Sequence, residues 1–418
     1  MTRTTAIGIG LTLLLAGAVN GQRRVELPGR DALLRSQAAT VWSVGTDEGE
    51  SWEMLSNVMA MAFDGTDHLF VLDQGNHRVL VFDASGRFVR QFGKQGGGPG
   101  EFQAPMALEV LRDGRVAVLD IGKRAWGVFT AAGVYQTDVF IPEEMGFPRP
   151  DETYALPDGS IMARSMPVLR MMGGGPPDMT GPQKSPVYRL TMTAQPTATT
   201  IHEFTIAAPT VRTSEAAGGR RTVMAMYAPP VFEKQPTFAA LPDGGAAFSM
   251  TADYTIEVRD AGGRVTRTLV RPIRPRAVTK KDMDHAREER RRQLLEGPRW
   301  AVSMSAGGGA VRAGRAAAPV SDAQLEEQLR NLTFAEEIPA IERVWSDATG
   351  RLWVQRSSAE PGGDAPIDLI APGDRYVGTI RGVRLPSAVS ASGLAAWVER
   401  DELDIERIVV RRLPSDWK

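Results

Sequence analysis

The segment FDGTDHLFVLDQGNHRVLVFDASGRFVRQFGKQGGGPGEF, from Phe63 to Phe102, constrains this chain more than any other stretch. Asp64-Gly65 is a turn pair, because glycine reaches positive φ without a steric cost. Leu69 to Leu72 is a short apolar run of strand type, Asp73 to Asn76 is polar, and Arg78 to Phe82 is a second run. Ala84-Ser85-Gly86 turns the chain again, and Phe88 to Phe92 alternates apolar and polar as a half-buried outer strand does. The unit is strand, tight turn, strand, polar loop, strand, tight turn, strand.

The unit repeats, and repeats decide the architecture before local propensity does. The first turn returns at Asp113-Gly114, Asp158-Gly159 and Asp243-Gly244, and more loosely at Asp347 to Gly350 and at Ser392-Gly393. Asp113 follows Asp64 by 49 residues and Asp158 follows by 45, the length of a propeller blade. The intervals of 85 and 104 residues before Asp243 and Asp347 must carry insertions. The second turn returns at Ala131-Ala132-Gly133, Ala261-Gly262-Gly263 and Pro372-Gly373-Asp374. Six units predict an all-β fold, a six-bladed β-propeller spanning 38–418. The last unit stops after its third strand, Ile405 to Leu413, so its fourth strand is expected from Thr40 to Val44. Sharing the last blade between both ends leaves no open edge.

Asp73-Gln74-Gly75-Asn76-His77-Arg78-Val79, with Phe82-Asp83, Gly86 and the following Phe92-Gly93 and Gly98-Pro99-Gly100-Glu101-Phe102, resembles the NHL-repeat family. The second unit keeps the Asp and Arg in Asp120-Ile121-Gly122-Lys123-Arg124 but loses the Asn. The later units match by turn spacing. The whole is similar to exported six-bladed propeller proteins of bacteria. That resemblance implies fold and compartment, with scaffold or ligand-binding use, and transfers no catalytic residue.

Met1 to about Gln22 has the pattern of a signal peptide: Arg3, an apolar core from Ala6 to Ala18, then small residues. Cleavage is expected after Ala18 or Gly21, with an uncleaved anchor as the alternative. A periplasmic or secreted location follows, with no membrane span after cleavage. The chain has no cysteine, which removes disulfides, lipoprotein attachment and thiolate chemistry. A formal net charge of −1 gives no case for nucleic acid.

Strand alternation places the extra length. Turns between strands one and two, and three and four, share one face and are short. The loop between strands two and three shares the other face with the crossing to the next blade. Gly93 to Pro105, Met166 to Pro186, Ala207 to Pro236 and Pro272 to Pro339 all fall there. Rigid scaffolds carry function on such loops. Within the longest crossing (helical insertion 279–334), Thr279 is a candidate cap for a charged helix running to about Leu295, and a second helix is expected from Ser321. Gly297 to Pro319, rich in Gly, Ala and Arg, reads as a linker. The arginine run reads first as a solvated helix face laced with Glu–Arg pairs and second as an anion or partner site.

Catalytic signals are weak. The Gly96 to Gly100 run lacks the Lys-Ser/Thr of a phosphate loop. Asp73, Asn76 and Arg78 read as loop-satisfying groups before they read as chemistry. The four histidines, His68, His77, His202 and His285, sit in different contexts and cannot supply a zinc site of the amidating-lyase type. Met162, Met166, Met171, Met172 and Met179 cluster around the third-blade insertion, as a binding surface or as a loop over the disc.

Two functions are carried forward. The first is a monomeric, non-enzymatic binding protein that takes a protein, peptide or glycan on the loop-rich face. Its candidate contacts are Gln74, Asn76, His77, Lys123, Arg124 and Arg164. A TolB-like envelope component differs from it only in partner. The second is a metal-dependent hydrolase or lyase of the gluconolactonase-like type, with no cofactor other than Ca²⁺. The oxygen ligands to test for it are Asp73, Glu109 and Asp120.

Overall fold

The computed structural model describes residues 23–166, 182–206, 210–216, 220–226, 229–296, 301–304, 311–314 and 321–417, with side chains left undescribed at 210–216, 220–226, 296, 301–304 and 311–314. Its main sheets are six antiparallel blades. From the channel outward, blade I is Val58–Phe63, Leu69–Asp73, Arg78–Phe82 and Phe88–Phe92. Blade II runs from Pro105–Val110 to Tyr135–Phe140, and blade III from Pro148–Ala155 to Ala198–Ile206. Blade IV runs from Thr237–Ala240 to Val265–Val270, and blade V from Ile341–Ser346 to Arg375–Ile380. Blade VI is Ala388–Val389, Leu394–Arg400 and Glu406–Arg412, completed by Ala39–Val44.

Residue pattern explains the layers. The middle strands of blade I, LFVLD and RVLVF, are buried at every position, because a blade presses on a neighbour from each side. The outer strand FVRQF alternates partial and full exposure. The core therefore lies between blades: Phe70, Leu72, Val79 and Val81 of blade I meet Phe102, Leu108, Val118 and Phe129 of blade II. Each such fully buried side chain contributes about 1.5–3 kcal/mol relative to exposure. The turn glycines fix the seams. Gly86 has φ 86°, and a Cβ there would stand 2.6 Å from the Trp42 ring on the outer strand of blade VI. Gly133, at φ 84°, lies equally close to Phe92 of blade I.

The expected ring closure is present, with Trp42 opposite Val410 and Val44 opposite Ile408. The N-terminal segment does more than the sequence suggested. Arg23–Glu26 adds a fifth, parallel strand to blade IV, with Val25 opposite Leu269. Leu33 then bridges to Thr379 on the outer strand of blade V before the chain enters blade VI. One strap thus borders three consecutive blades. The C-terminus is tied to the same strap: Trp417 Nε1 donates to the Arg35 carbonyl at 2.7 Å, and Arg35 Nε to Asp416 at 3.2 Å.

Beneath the strap lies a buried charge network. Arg271 Nη1 donates to Asp368 at 2.6 Å, and both side chains have no exposed surface. Asp31 of the strap accepts from Arg271 at 3.1 Å, Arg356 at 2.8 Å and Arg381 at 3.2 Å. Burial alone would raise the Asp31 carboxyl, but these arginines outweigh it and hold it down to about 2.

The insertion between blades IV and V contains α1 (Lys280–Glu296) and α2 (Asp322–Arg330). Thr279 Oγ1 accepts from the Asp282 N–H at 3.3 Å and Asp282 accepts from the Thr279 N–H at 2.9 Å, a reciprocal start to α1. Arg276 grips Asp282 with two bonds of 2.7 and 2.8 Å. Ser321 and Gln324 close a capping box on α2. The arginine run behaves as a solvated face, with Arg287 on Asp284, Arg292 on Glu289, and Arg291 reaching Glu326 of α2 at 3.1 Å. Part of the expected linker is a hairpin, Ala301–Met304 with Val311–Gly314, and its remainder lies outside the described residues.

Candidate binding face and channel rim

Among the described residues the long crossings between blades fall on one face, while the strap runs along the flank of blades IV to VI. Hairpin Thr210–Ala216 with Arg220–Met226 leads from blade III to IV, and α1 and α2 lead from IV to V. The opposite face carries short turns such as Asp113-Gly114 and Asp158-Gly159, each pinned by an Asp side chain accepting nearby backbone N–H groups. Because crossings arrive on the loop-rich face, the first residues of each inner strand form its inner rim.

The expected contact residues lie on that face, and the fold uses most of them. Gln74 is buried, donating to the Pro105 carbonyl at 2.9 Å and accepting from Asn57 at 2.5 Å, so it fastens blade I to blade II. Asn76 is exposed on the loop but donates to Asp73 at 2.8 Å and to the Met54 carbonyl at 3.1 Å. His77 is buried, with φ 53° at the tip of its turn. Lys123 Nζ donates to the Gly98 carbonyl at 2.8 Å. Arg124 is exposed and stacks on Phe147 at 4.8 Å. Arg164 is buried, donating to Ser185 and Glu152 while lying 4.6 Å over Phe204. Among the methionines, Met162 belongs to the core and Met166 is exposed, whereas Met171, Met172 and Met179 lie outside the described residues.

The candidate metal carboxylates do not converge. Asp73 accepts from the Ser56 N–H at 2.9 Å and pairs with Arg78 at 2.8 Å. Asp120, its equivalent in blade II, accepts from the N–H groups of Gln103, Ala104 and Gly122 at 2.7–3.0 Å. Both tie a loop to the entry of the inner strand. In blade VI the pair is inverted as Arg400 with Glu406, and Glu406 accepts from the Val58 N–H at 2.8 Å. Glu109 stands apart between the inner strands of blades II and III. Among the described residues no group of three His, Asp or Glu side chains is placed to hold a metal ion. The donor set of the calcium-dependent alternative is therefore not assembled there.

What the structure does assemble is a run of charged groups along the channel wall of blades II to V; Glu109, near the plain-face end of the inner strand of blade II, was singled out from the sequence, whereas Glu152, Lys234, Glu342 and Arg343 were not. Glu109 accepts from Thr153 Oγ1 at 2.7 Å and from the Ala155 N–H at 3.1 Å. Crowding by the channel wall pushes its carboxyl up to about 7, against those two bonds. Glu152 is held by Arg149 at 3.0 Å and Arg164 at 3.3 Å, yet burial outweighs both and raises its carboxyl. Arg343 of blade V donates to the Asp151 carbonyl of blade III at 2.8 Å. Glu342 is raised by crowding and receives one bond, from Gln355 at 3.0 Å. Lys234 Nζ donates to the Ile341 carbonyl at 2.8 Å, and burial lowers it to about 8. Lys234, Glu342 and Arg343 adjoin one another, and among the described residues none of them forms an ion pair within 4.0 Å. The signal was visible as charge in a first strand: PRPDETYA and IERVWS carry several charges where PMALEV carries Glu109 alone and VMAMAF carries none.

Comparison with known proteins adds the following. Residues 53–135 match a family described as a 6-bladed beta-propeller. No curated protein matches the sequence. Among solved structures, a Bacteroides fragilis NCTC 9343 protein named "Putative exported protein" is 12% identical, with 94% of this chain and 99% of that chain covered and a TM-score of 0.44. A streptogramin B lyase is 10% identical, over 86% of this chain and 94% of that one, with a TM-score of 0.39. A virginiamycin B lyase from Staphylococcus aureus is 10% identical, over 89% and 99%, with a TM-score of 0.35. Likeness at this level carries nothing on activity. The molecule's own sheets and the matched segment establish the architecture, and the chain is a six-bladed β-propeller.

Proposed function

We propose that this is an exported binding protein, without catalysis, that takes a protein, peptide or glycan on its loop-rich face over the rim of blades III to V. One observation carries the reading. The face that holds the long crossings between blades also holds Lys234, Glu342 and Arg343, three adjoining charged groups with donors and acceptors left over. Such groups are costly to keep near a crowded channel and are repaid when a ligand completes them. Asn76 and Arg124, exposed further round the face, are secondary contacts. Export rests on the pattern of residues 1–22, and no helix among the described residues is long and apolar enough to cross a membrane.

The test is a glycan and peptide array probed with the labelled chain, beside Lys234→Met, Glu342→Gln and the plain-face variant Arg189→Gln. The reading expects ligands whose binding falls at least tenfold in both rim variants and holds in Arg189→Gln. A silent array, or binding that depends on the plain face, contradicts it. Stoichiometric calcium in the purified protein, with esterase or lactonase activity lost to a chelator, would favour the hydrolase instead.

A further inference from the structure

A second site lies away from the rim, on the flank of the disc between blades V and VI. An open groove of about 640 Å³ is lined there by the strap, Ser36 to Ala39, by the crossing Gly382 to Arg384, and by Trp397, Glu399 and Arg411 of blade VI. Its volume falls within the range of small-ligand sites.

Three features of the lining are incomplete. First, Arg384 is exposed, and among the described residues its guanidinium has no hydrogen bond and no ion pair; its backbone carbonyl is occupied, by Trp397 Nε1 at 2.9 Å. Second, Arg411 lies over the Trp397 ring at 5.3 Å and grips Glu399 with bonds of 2.6 and 3.0 Å. That bidentate grip, with Arg384 nearby, holds the Glu399 carboxyl below its ordinary range. The groove thus holds two guanidinium groups against one carboxylate. Third, between its bridge at Leu33 and its ladder from Ala39 the strap joins no strand, and among the described residues the backbone N–H and C=O groups of Ser36, Gln37 and Ala38 have no partner. A run of unpaired backbone donors and acceptors can pair with an added strand. A guanidinium without a carboxylate partner beside it selects a carboxylate.

We infer that this groove binds a short extended peptide bearing a carboxylate, its amides pairing with residues 36–38 of the strap and its carboxylate meeting Arg384. The site is independent of the rim, so it stands or falls separately from the binding face. The probe is acetyl-trialanine as the free acid, titrated against the full chain by ligand-observed NMR, with the C-terminal amide and sodium acetate as comparators. The amide should bind at least tenfold more weakly than the acid, and acetate alone at least tenfold more weakly. Arg384→Gln should weaken the acid at least tenfold while leaving the thermal melt unchanged, since that side chain holds nothing else. Glu399→Gln should tighten the acid severalfold, by removing a like charge and releasing Arg411. Equal affinity of acid and amide, no response to Arg384→Gln, or no binding at millimolar peptide would overturn the inference. Acetate or glucuronate competing as well as the peptide would overturn the peptide assignment.

Discussion

The molecule holds two clusters of opposite charges, and they are built in opposite ways. Under the strap, Asp31 and Asp368 face Arg271, Arg356 and Arg381 at 2.6–3.6 Å, and Asp31 is held down to about 2. Along the channel wall, Glu109, Glu152 and Glu342 are all raised and Lys234 is lowered; Glu152 pairs with Arg149 and Arg164, whereas among the described residues Glu109, Lys234, Glu342 and Arg343 close no ion pair. The difference is whether each charge is held in an ion pair. A saturated cluster stabilises a geometry and offers a ligand nothing. An unsaturated one costs stability and keeps its binding capacity, which is why perturbed groups concentrate at functional sites.

The largest expected effect lies under the strap. Asp368→Ala leaves Arg271 buried without its main partner, and the loss should be about 3–5 kcal/mol. It would appear in urea melts as a lower midpoint at unchanged slope. A loss below about 1 kcal/mol would mean that the two clusters do not differ as described.

Second, Asp31 sets an acid limit. Its folded pKa is depressed, so its contribution is present above the unfolded value of 3.8 and is lost as pH falls from about 4 toward about 2. Asp31→Asn should remove that window from the stability–pH curve and weaken the hold of the strap on blades IV and V.

Glu109 on the channel wall should behave in the contrary sense. Between about 4.5 and 7 the folded state keeps the Glu109 proton that the unfolded chain has lost, so stability falls as pH rises across that window. Glu109→Gln should flatten this dependence and be neutral or stabilising at pH 8, by on the order of 1–2 kcal/mol. Destabilisation there would assign Glu109 to the structural class. The smallest effect belongs to the solvated helix: Arg292→Gln on α1 should change stability by less than about 0.5 kcal/mol.

Legibility in the sequence followed the same division. Blades I and II could be read from Asp73, Arg78, Asp120 and the Gly86 and Gly133 turns, because each of these residues answers a local backbone need repeated from blade to blade. The matched family segment, 53–135, covers blade I and the first three strands of blade II. Closure through Thr40 to Val44 was readable because an incomplete sixth unit demands a strand. The strap strand Arg23–Glu26 was not, since four residues without a turn signal carry no period. The candidate residues chosen from the loops were polar for local reasons too, so Gln74, His77 and Arg164 proved buried within the fold. The rim escaped notice because it comes together only when inner strands from separate blades meet. Glu152 and Glu342 lie 190 positions apart in the chain, and Lys234 lies between them.

The most direct test of the contrast is a carbon-13 NMR titration of the full chain labelled at Asp and Glu side-chain carboxyls. The account predicts that Glu109 titrates near 7 while Asp31 remains ionised to about pH 2. Both titrating near 4 would contradict it, for the rim would then hold no more unspent charge than the strap.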